Sequence, residues 1–275
     1  ITIPQGKGPF PAVLLITGSG QQNRDEELFG HKPFAVIADY LTRKGYIVMR
    51  VDDRGVGQTT GDALDATTAD FAKDVNVGVD YLRSRKEVNK RKVGLMGHSE
   101  GGIIAPMVAS ERKDIDFIVL LAGAGVKMPQ LMEEQSAAIL EGTTADQDVV
   151  KQYRQLYRSM EDAILKASDS DDARNRITLT LDAWVKKTPA SIVEKVGLNK
   201  ENVQQEYIKT FTGKYTNKWF HYLLTIDPKP YLEKLSCKVL AINGSKDVQV
   251  VAKTNLAGIK QALAKSKSKA YEVKE

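Results

Sequence analysis

Gly97-His98-Ser99-Glu100-Gly101-Gly102 sets one serine between two flanking glycines. It follows the apolar run Lys92-Val93-Gly94-Leu95-Met96 and precedes Ile103-Ile104-Ala105-Pro106-Met107-Val108. Strand, sharp turn and helix in that order make a nucleophile elbow, with the hydroxyl at its apex. The glycines are needed because the serine backbone is strained and neighbouring strands crowd it. The hydroxyl then stands at a helix N-terminus, where the dipole favours developing negative charge. A serine hydroxyl is a poor nucleophile at neutral pH. It needs a base within hydrogen-bond reach, a carboxylate to orient that base, and two N–H donors for an oxyanion.

Each part can be sought along the chain. One oxyanion donor is expected to be the backbone N–H of Glu100, the residue after the nucleophile. The second is expected in Thr17-Gly18-Ser19-Gly20, the loop after the first apolar run, with the N–H of Ser19 first and Gly20 next. Gly18-Ser19-Gly20-Gln21-Gln22-Asn23 lacks the third glycine of a dinucleotide-binding fingerprint. The acid belongs after a late strand, where sites in open parallel sheets gather. Asn243-Gly244-Ser245-Lys246-Asp247 follows the run at 239–242, so Asp247 is preferred to Asp227. Asp52 and Asp53 end a strand but precede the serine, and are read as structural, with Arg54 as a nearby partner.

The base is the difficulty, because the chain has only three histidines. His98 lies inside the elbow and is read as packing beneath the oxyanion loop. His31 sits in a polar loop, and His221 in Trp219-Phe220-His221-Tyr222. In the chain order Ser, Asp, His the base follows the final strand. The triad histidine is therefore expected beyond Glu275. Both ends, at Ile1 and Glu275, read as trimmed, which leaves the compartment open.

The elements that must position these residues follow from hydrophobic period. Ala12–Ile16, Tyr46–Val51, Val93–Met96, Ile115–Leu121, Lys238–Asn243 and 270–273 read as strands. Helical spacing links Phe34, Ile37, Ala38 and Leu41, then Phe71, Val75, Val79 and Leu82, then Leu256, Ile259 and Leu263. Strands apolar throughout and separated by helices argue a mostly parallel sheet covered on both faces. From about 126 to 235 helical periods replace strand signals. Tyr153, Leu156, Tyr157, Met160 and Ile164 share a face, Asp169-Ser170-Asp171-Asp172 reads as a helix start, and Asp227-Pro228-Lys229-Pro230 closes the segment. Residues 1–125 and 236–275 are thus expected to form an α/β core, and 126–235 an inserted helical cap.

With 275 residues, 42% of them hydrophobic, the chain can build one large α/β domain with an insertion. A formal net charge of +5 is spread along the sequence and reads as solvated surface rather than a nucleic-acid face. Cys237 is the only cysteine, which excludes an internal disulfide and a cysteine-based zinc site. No run is long enough for a membrane span. Neither a Walker loop nor H-E-x-x-H is present, and no metal or organic cofactor is expected.

Four stretches together carry a resemblance. They are Ile16-Thr17-Gly18-Ser19-Gly20 through Asn23-Arg24-Asp25-Glu26, Asp52-Asp53-Arg54-Gly55-Val56-Gly57, Gly97 to Gly102, and Asn243 to Asp247. In order and spacing the chain resembles the α/β-hydrolase superfamily, and more closely bacterial serine carboxylesterases with a helical cap. The resemblance implies Ser99 as nucleophile, Asp247 as triad acid, and oxyanion donors near Ser19 and at Glu100. It implies hydrolysis of a small carboxylic ester through an acyl-enzyme, with Gly20, His98, Trp219 and Phe220 around the substrate. An aminopeptidase or acyl-thioester hydrolase would use the same machinery. Glu133 and Glu134 would suit a substrate amino group in that case, but read as surface helix residues. A non-catalytic binding protein that keeps the pocket is the reading of another class.

Overall fold

The computed structural model describes residues 1–275. Six strands form one sheet: β1 (Phe10–Ile16), β2 (Ile47–Met49), β3 (Val88–His98), β4 (Phe117–Leu121), β5 (Lys238–Ile242) and β6 (Tyr271–Lys274). Their order is β2-β1-β3-β4-β5-β6, and every neighbouring pair is parallel. The chain steps outward from β1 to β2, then returns to the other side of β1 and continues to β6. That reversal puts the topological switch point between β1 and β3, where the loops leaving the strands diverge and open a crevice. The loop after β1 begins at Thr17, and the turn after β3 is Ser99.

The inner strands β1 and β4 are apolar throughout because both faces of the sheet are covered there. Ala12 to Ile16 are all buried. Val13, Leu15 and Val48 pack on Phe34 and Ala38 of α1 (Pro33–Arg43). Leu14 points the other way, where α2 (Thr68–Ser84) brings Gly78 against its side chain. α3 (Gly101–Glu111) lies beside α2. β2 is shorter than the apolar run 46–51. It is an edge strand, paired to β1 through three residues and touched on its free side only by an antiparallel bridge from Thr2. β3 is longer than its apolar run, because Val88 and the polar residues Asn89 to Lys92 extend it.

The chain divides into two compact units. The first, Ile1–Val126, Asp227–Lys246 and Ala252–Glu275, holds the whole sheet. The helix Lys229–Glu233, inside the stretch read from sequence as insertion, packs on α3 and on the helix Ala252–Leu263 in this unit. The second unit, Lys127–Ile226 with Asp247–Val251, is helical. It contains α4 (Met128–Glu141), α5 (Gln147–Leu165), α6 (Ser170–Lys187), α7 (Ala190–Lys195), α8 (Glu201–Thr216) and α9 (Lys218–Leu224). No helix of the chain is long and apolar enough to cross a membrane.

The helical unit is built around aromatic rings. Leu156, Tyr157, Met160 and Ile164 form the buried stripe of α5. Phe211 and Tyr215 of α8 stack with centroids 4.2 Å apart, and Phe220 of α9 meets Tyr215 edge-on at 4.7 Å. Asp169 caps α6, accepting the N–H groups of Asp171 and Asp172, as its sequence pattern indicates. Glu133 and Glu134 are not surface residues: they are buried on the inner face of α4. Glu133 is neutralised there by Arg154 and Arg158 of α5. A third buried acid, Glu161, accepts the Tyr215 hydroxyl at 3.3 Å through Oε1 and has no partner at Oε2. Burial pushes its carboxyl up to about 9.

Candidate active site

Ser99 has φ +52°, in the left-handed region that a residue with a Cβ rarely occupies. Such a conformation costs on the order of 1–3 kcal/mol and persists only where its surroundings over-determine it. Here the surroundings are backbone. A Cβ on Gly97 would lie 1.9 Å from the Gly101 carbonyl oxygen, and one on Gly101 would lie 2.3 Å from that of Ile16. The elbow therefore closes only with glycine at both positions. The Ser99 N–H donates to Leu121 O at 2.9 Å, and the Ser99 carbonyl accepts from Gly102 N at 2.9 Å. Its main chain is thus tied to β4 and to the first turn of α3, and its side chain is half-buried.

The loop after β1 comes directly against this turn. A Cβ on Gly18 would lie 3.3 Å from Ser99 Cβ, 3.2 Å from His98 Nδ1 and 3.3 Å from Glu26 Oε1. Thr17 donates its hydroxyl to Asp53 Oδ1 at 2.8 Å, and Gln22 N donates to Asp53 Oδ2 at 2.9 Å. Gly18 N donates to Glu26 Oε1 at 2.7 Å. The structure thus brings together Ser99, Glu100, Ser19, Gly20 and His98. His98 Nδ1 lies 2.8 Å from Glu26 Oε1, the same oxygen that accepts the Gly18 N–H.

Three carboxylates surround this edge. Burial is the main cause that pushes Asp53 up to about 6, and the charges of Glu100 and Glu26 add to it. The Gln22 N–H and Thr17 hydroxyl work the other way. Glu100 is buried and accepts the Thr68 hydroxyl at 2.7 Å, which fixes the start of α3 against α2. Asp52 is paired with Arg24, and Arg54 with Asp74. Arg54 therefore reaches α2 rather than the neighbouring aspartates expected from the sequence, and the Asp52 counter-charge comes from the β1 loop. A cavity of about 480 Å³ opens between the sheet and α2. Gly18, Gly20, Asp53 and Glu100 line it together with apolar Leu14 and Phe71, while Ser99 is not part of its lining. No group of three or more His, Cys, Asp or Glu side chains is arranged to hold a metal ion.

Asp247 follows the C-terminal end of β5, two strands from β3 in the sheet. Its Oδ1 accepts Gln249 N at 2.8 Å and Val250 N at 2.9 Å, a turn that leaves Oδ2 for another donor. His31 lies exposed in the turn Leu28–His31. Trp219, Phe220 and His221 lie on α9 of the helical unit, Phe220 buried in the aromatic cluster, Trp219 half-buried and His221 exposed. The residue that sequence reasoning passed over is Glu26. It was noted within Asn23-Arg24-Asp25-Glu26, but nothing in its spacing marks it as an acid that turns back onto Gly18.

Residues 32–191, more than half of the chain, match the hydrolase family described as serine aminopeptidase, S33. The chain belongs to this family. As an S33 hydrolase it falls in the α/β-hydrolase superfamily that the elbow, the loop after β1 and the parallel sheet indicate. Esterase EstD of Thermotoga maritima is 30% identical over 265 residues, which is 95% of this chain and 52% of that protein. The chain thus spans about half the length of this curated relative. Among solved structures, Est1E of Butyrivibrio proteoclasticus, with ferulic acid bound, aligns over 99% of this chain and 82% of its own, at 16% identity and TM-score 0.57. An esterase of Pyrococcus furiosus aligns over 96% and 72%, at 16% identity and TM-score 0.55. At such identities these two speak to the fold.

Proposed function

We propose that the protein hydrolyses small carboxylic esters through an acyl-enzyme on Ser99. The observation that carries this reading is the strained Ser99 turn, closed on backbone at Gly97 and Gly101 and met by the loop after β1. Strain of this kind at a sheet's switch point has a use in presenting a hydroxyl, and none in packing. Ser99 Oγ attacks the ester carbonyl. Its proton passes to a histidine that Asp247 orients through Oδ2, and from there to the leaving alcohol. Water then attacks the acyl group by the same route in reverse. The Ser99 and Gly18 amides are already donated to Leu121 O and Glu26. The oxyanion is bound by the N–H groups of Glu100, the residue after the nucleophile, and of Ser19 or Gly20. EstD, named an esterase, supports the substrate class.

Ser99→Ala in the full-length protein should lower p-nitrophenyl acetate turnover by at least about 10³-fold while leaving the melting temperature unchanged. Turnover retained at the wild-type rate would remove Ser99 from the mechanism. The family description favours a second reading, cleavage of an N-terminal aminoacyl amide. The carboxylates that sequence offered for a substrate ammonium argue against it, since Glu133 and Glu134 are buried and Glu133 is already held by two guanidinium groups. Turnover of acetyl esters above that of aminoacyl anilides separates the two.

A further inference from the structure

Glu26 is a buried acid with no part in the proton transfers above, and its backbone is strained. Its φ is +50°, left-handed like that of Ser99, and its N–H donates to Asn23 O at 2.8 Å. The turn that holds it there is separately built, since Asn23 Oδ1 accepts the Asp25 N–H at 3.0 Å and Phe34 N donates to Asp25 O at 3.2 Å. That turn aims the carboxylate at two donors. Oε1 accepts Gly18 N at 2.7 Å and faces His98 Nδ1 at 2.8 Å. That oxygen accepts the Gly18 N–H and lies within hydrogen-bond distance of the imidazole at the same time. His98 is the last residue of β3, immediately before Ser99. One oxygen therefore ties the loop after β1 to the strand that carries the nucleophile.

We propose that Glu26 is the positioning residue of the oxyanion loop: through Gly18 and His98 it fixes the amides of Ser19 and Gly20 relative to Ser99. The proposal rests on Ser99 being the nucleophile. Asp53 pins the same loop on either side, at Thr17 and Gln22, so the two acids leave Ser19 and Gly20 as the span presented to substrate. Preorganised donors stabilise the developing oxyanion only where the scaffold sets their place before the reaction, and a shift of about 1 Å costs on the order of 10²-fold in rate. Glu26 touches neither substrate nor reacting atoms; it acts through the loop.

The test compares full-length wild type, E26Q and E26A on p-nitrophenyl acetate, with rates normalised to sites labelled by a fluorophosphonate. Affinity for an alkyl trifluoromethyl ketone, which forms a tetrahedral oxyanion adduct with a serine nucleophile, is the second readout. E26A should lose roughly 30- to 100-fold in kcat with KM within about threefold, and ketone affinity should fall by a matching factor. E26Q keeps an oxygen at the same place and should recover kcat to within about fivefold of wild type. A structural role alone would lower the fraction of labelled protein and leave both normalised values in place. Should E26A not fold, H98A removes the other anchor and should cost about tenfold in both kcat and ketone affinity. E26A or H98A at wild-type kcat per labelled site, or a loss of kcat without loss of ketone affinity, overturns the positioning role. A wild type that is not labelled, or an S99A variant that still turns over, overturns the nucleophile reading instead.

Discussion

In the sheet unit Asp53 accepts one N–H and one hydroxyl, whereas in the helical unit Glu161 accepts one hydroxyl and leaves an oxygen without a partner. Burial raises both. Asp53 stops at about 6 and Glu161 reaches about 9. The difference lies in the donors. Loops at a sheet edge expose main-chain N–H groups that an acid can collect, while helices have already used theirs internally. A carboxylate among loops is thus held charged and can serve as a clamp. One among helices is held neutral and bonds as a carboxylic acid to the tyrosine network of Tyr157 and Tyr215.

The glycines divide in the same way. At the elbow each missing Cβ is a backbone contact, so Gly101→Ala has a large expected effect. A methyl group 2.3 Å from the Ile16 carbonyl oxygen forces β1 away from α3. The loss should reach about 4 kcal/mol or more, at the upper end of what a single substitution does, because neither neighbour is a flexible side chain. Urea unfolding measures it. A loss below about 1 kcal/mol would mean that the elbow is looser than these distances, and would weaken the case that Ser99 is held under strain.

The carboxylates give the next test, through pH. A carboxyl whose folded value is raised stays protonated in the folded state while the unfolded chain has released the proton, so stability falls as pH rises between the two values. For Asp53 that window runs from 3.8 to about 6, and for Glu161 from 4.5 to about 9. Asp162 and Glu133 face Glu161 with like charge and Lys214 opposes them. Relative to wild type, E161Q should gain melting temperature steadily from pH 5 to pH 9, on the order of 10 °C across the range. D53N should gain only up to about pH 6, by a smaller amount, and then run parallel to wild type. Curves for E161Q parallel to wild type from pH 5 to 9 would show that Glu161 is charged and paired, and the contrast between the units would go.

Much of the sheet unit was legible because each of its features has a local signature. Strands covered on both faces are apolar at every position, so Ala12–Ile16 and Phe117–Leu121 stood out. The elbow announces itself because its close approaches admit only glycine. What could not be read is pairing across long separations. Arg54 reaches Asp74 and Arg24 reaches Asp52. Glu133 is buried only because Arg154 and Arg158 lie on the next helix, and a charged residue on a helix reads as surface until its partner is known. Glu26 escaped for the same reason, its donors being Gly18 in one direction and His98 far along the chain. The start of β3 was hidden by Asn89, Lys90 and Arg91, polar residues in the register irregularity between Val88, which pairs with Phe10, and Val93, which pairs with Ala12.

The smallest prediction repeats the glycine substitution where nothing stands in its way. Gly213 lies in α8, exposed, and a Cβ there would meet no atom within 4 Å. In a helix interior glycine costs backbone entropy that alanine does not, because the unfolded chain with alanine has fewer conformations to lose. Gly213→Ala should therefore stabilise the protein by about 0.5–1 kcal/mol, seen as a small rise in the urea midpoint at unchanged slope. The same exchange thus has opposite signs at 101 and at 213. One glycine is required by what touches it, and the other is merely tolerated. A destabilised Gly213→Ala would indicate that this face of α8 is covered by something in solution. The openness of that helix, on which the contrast between the two glycines depends, would then be lost.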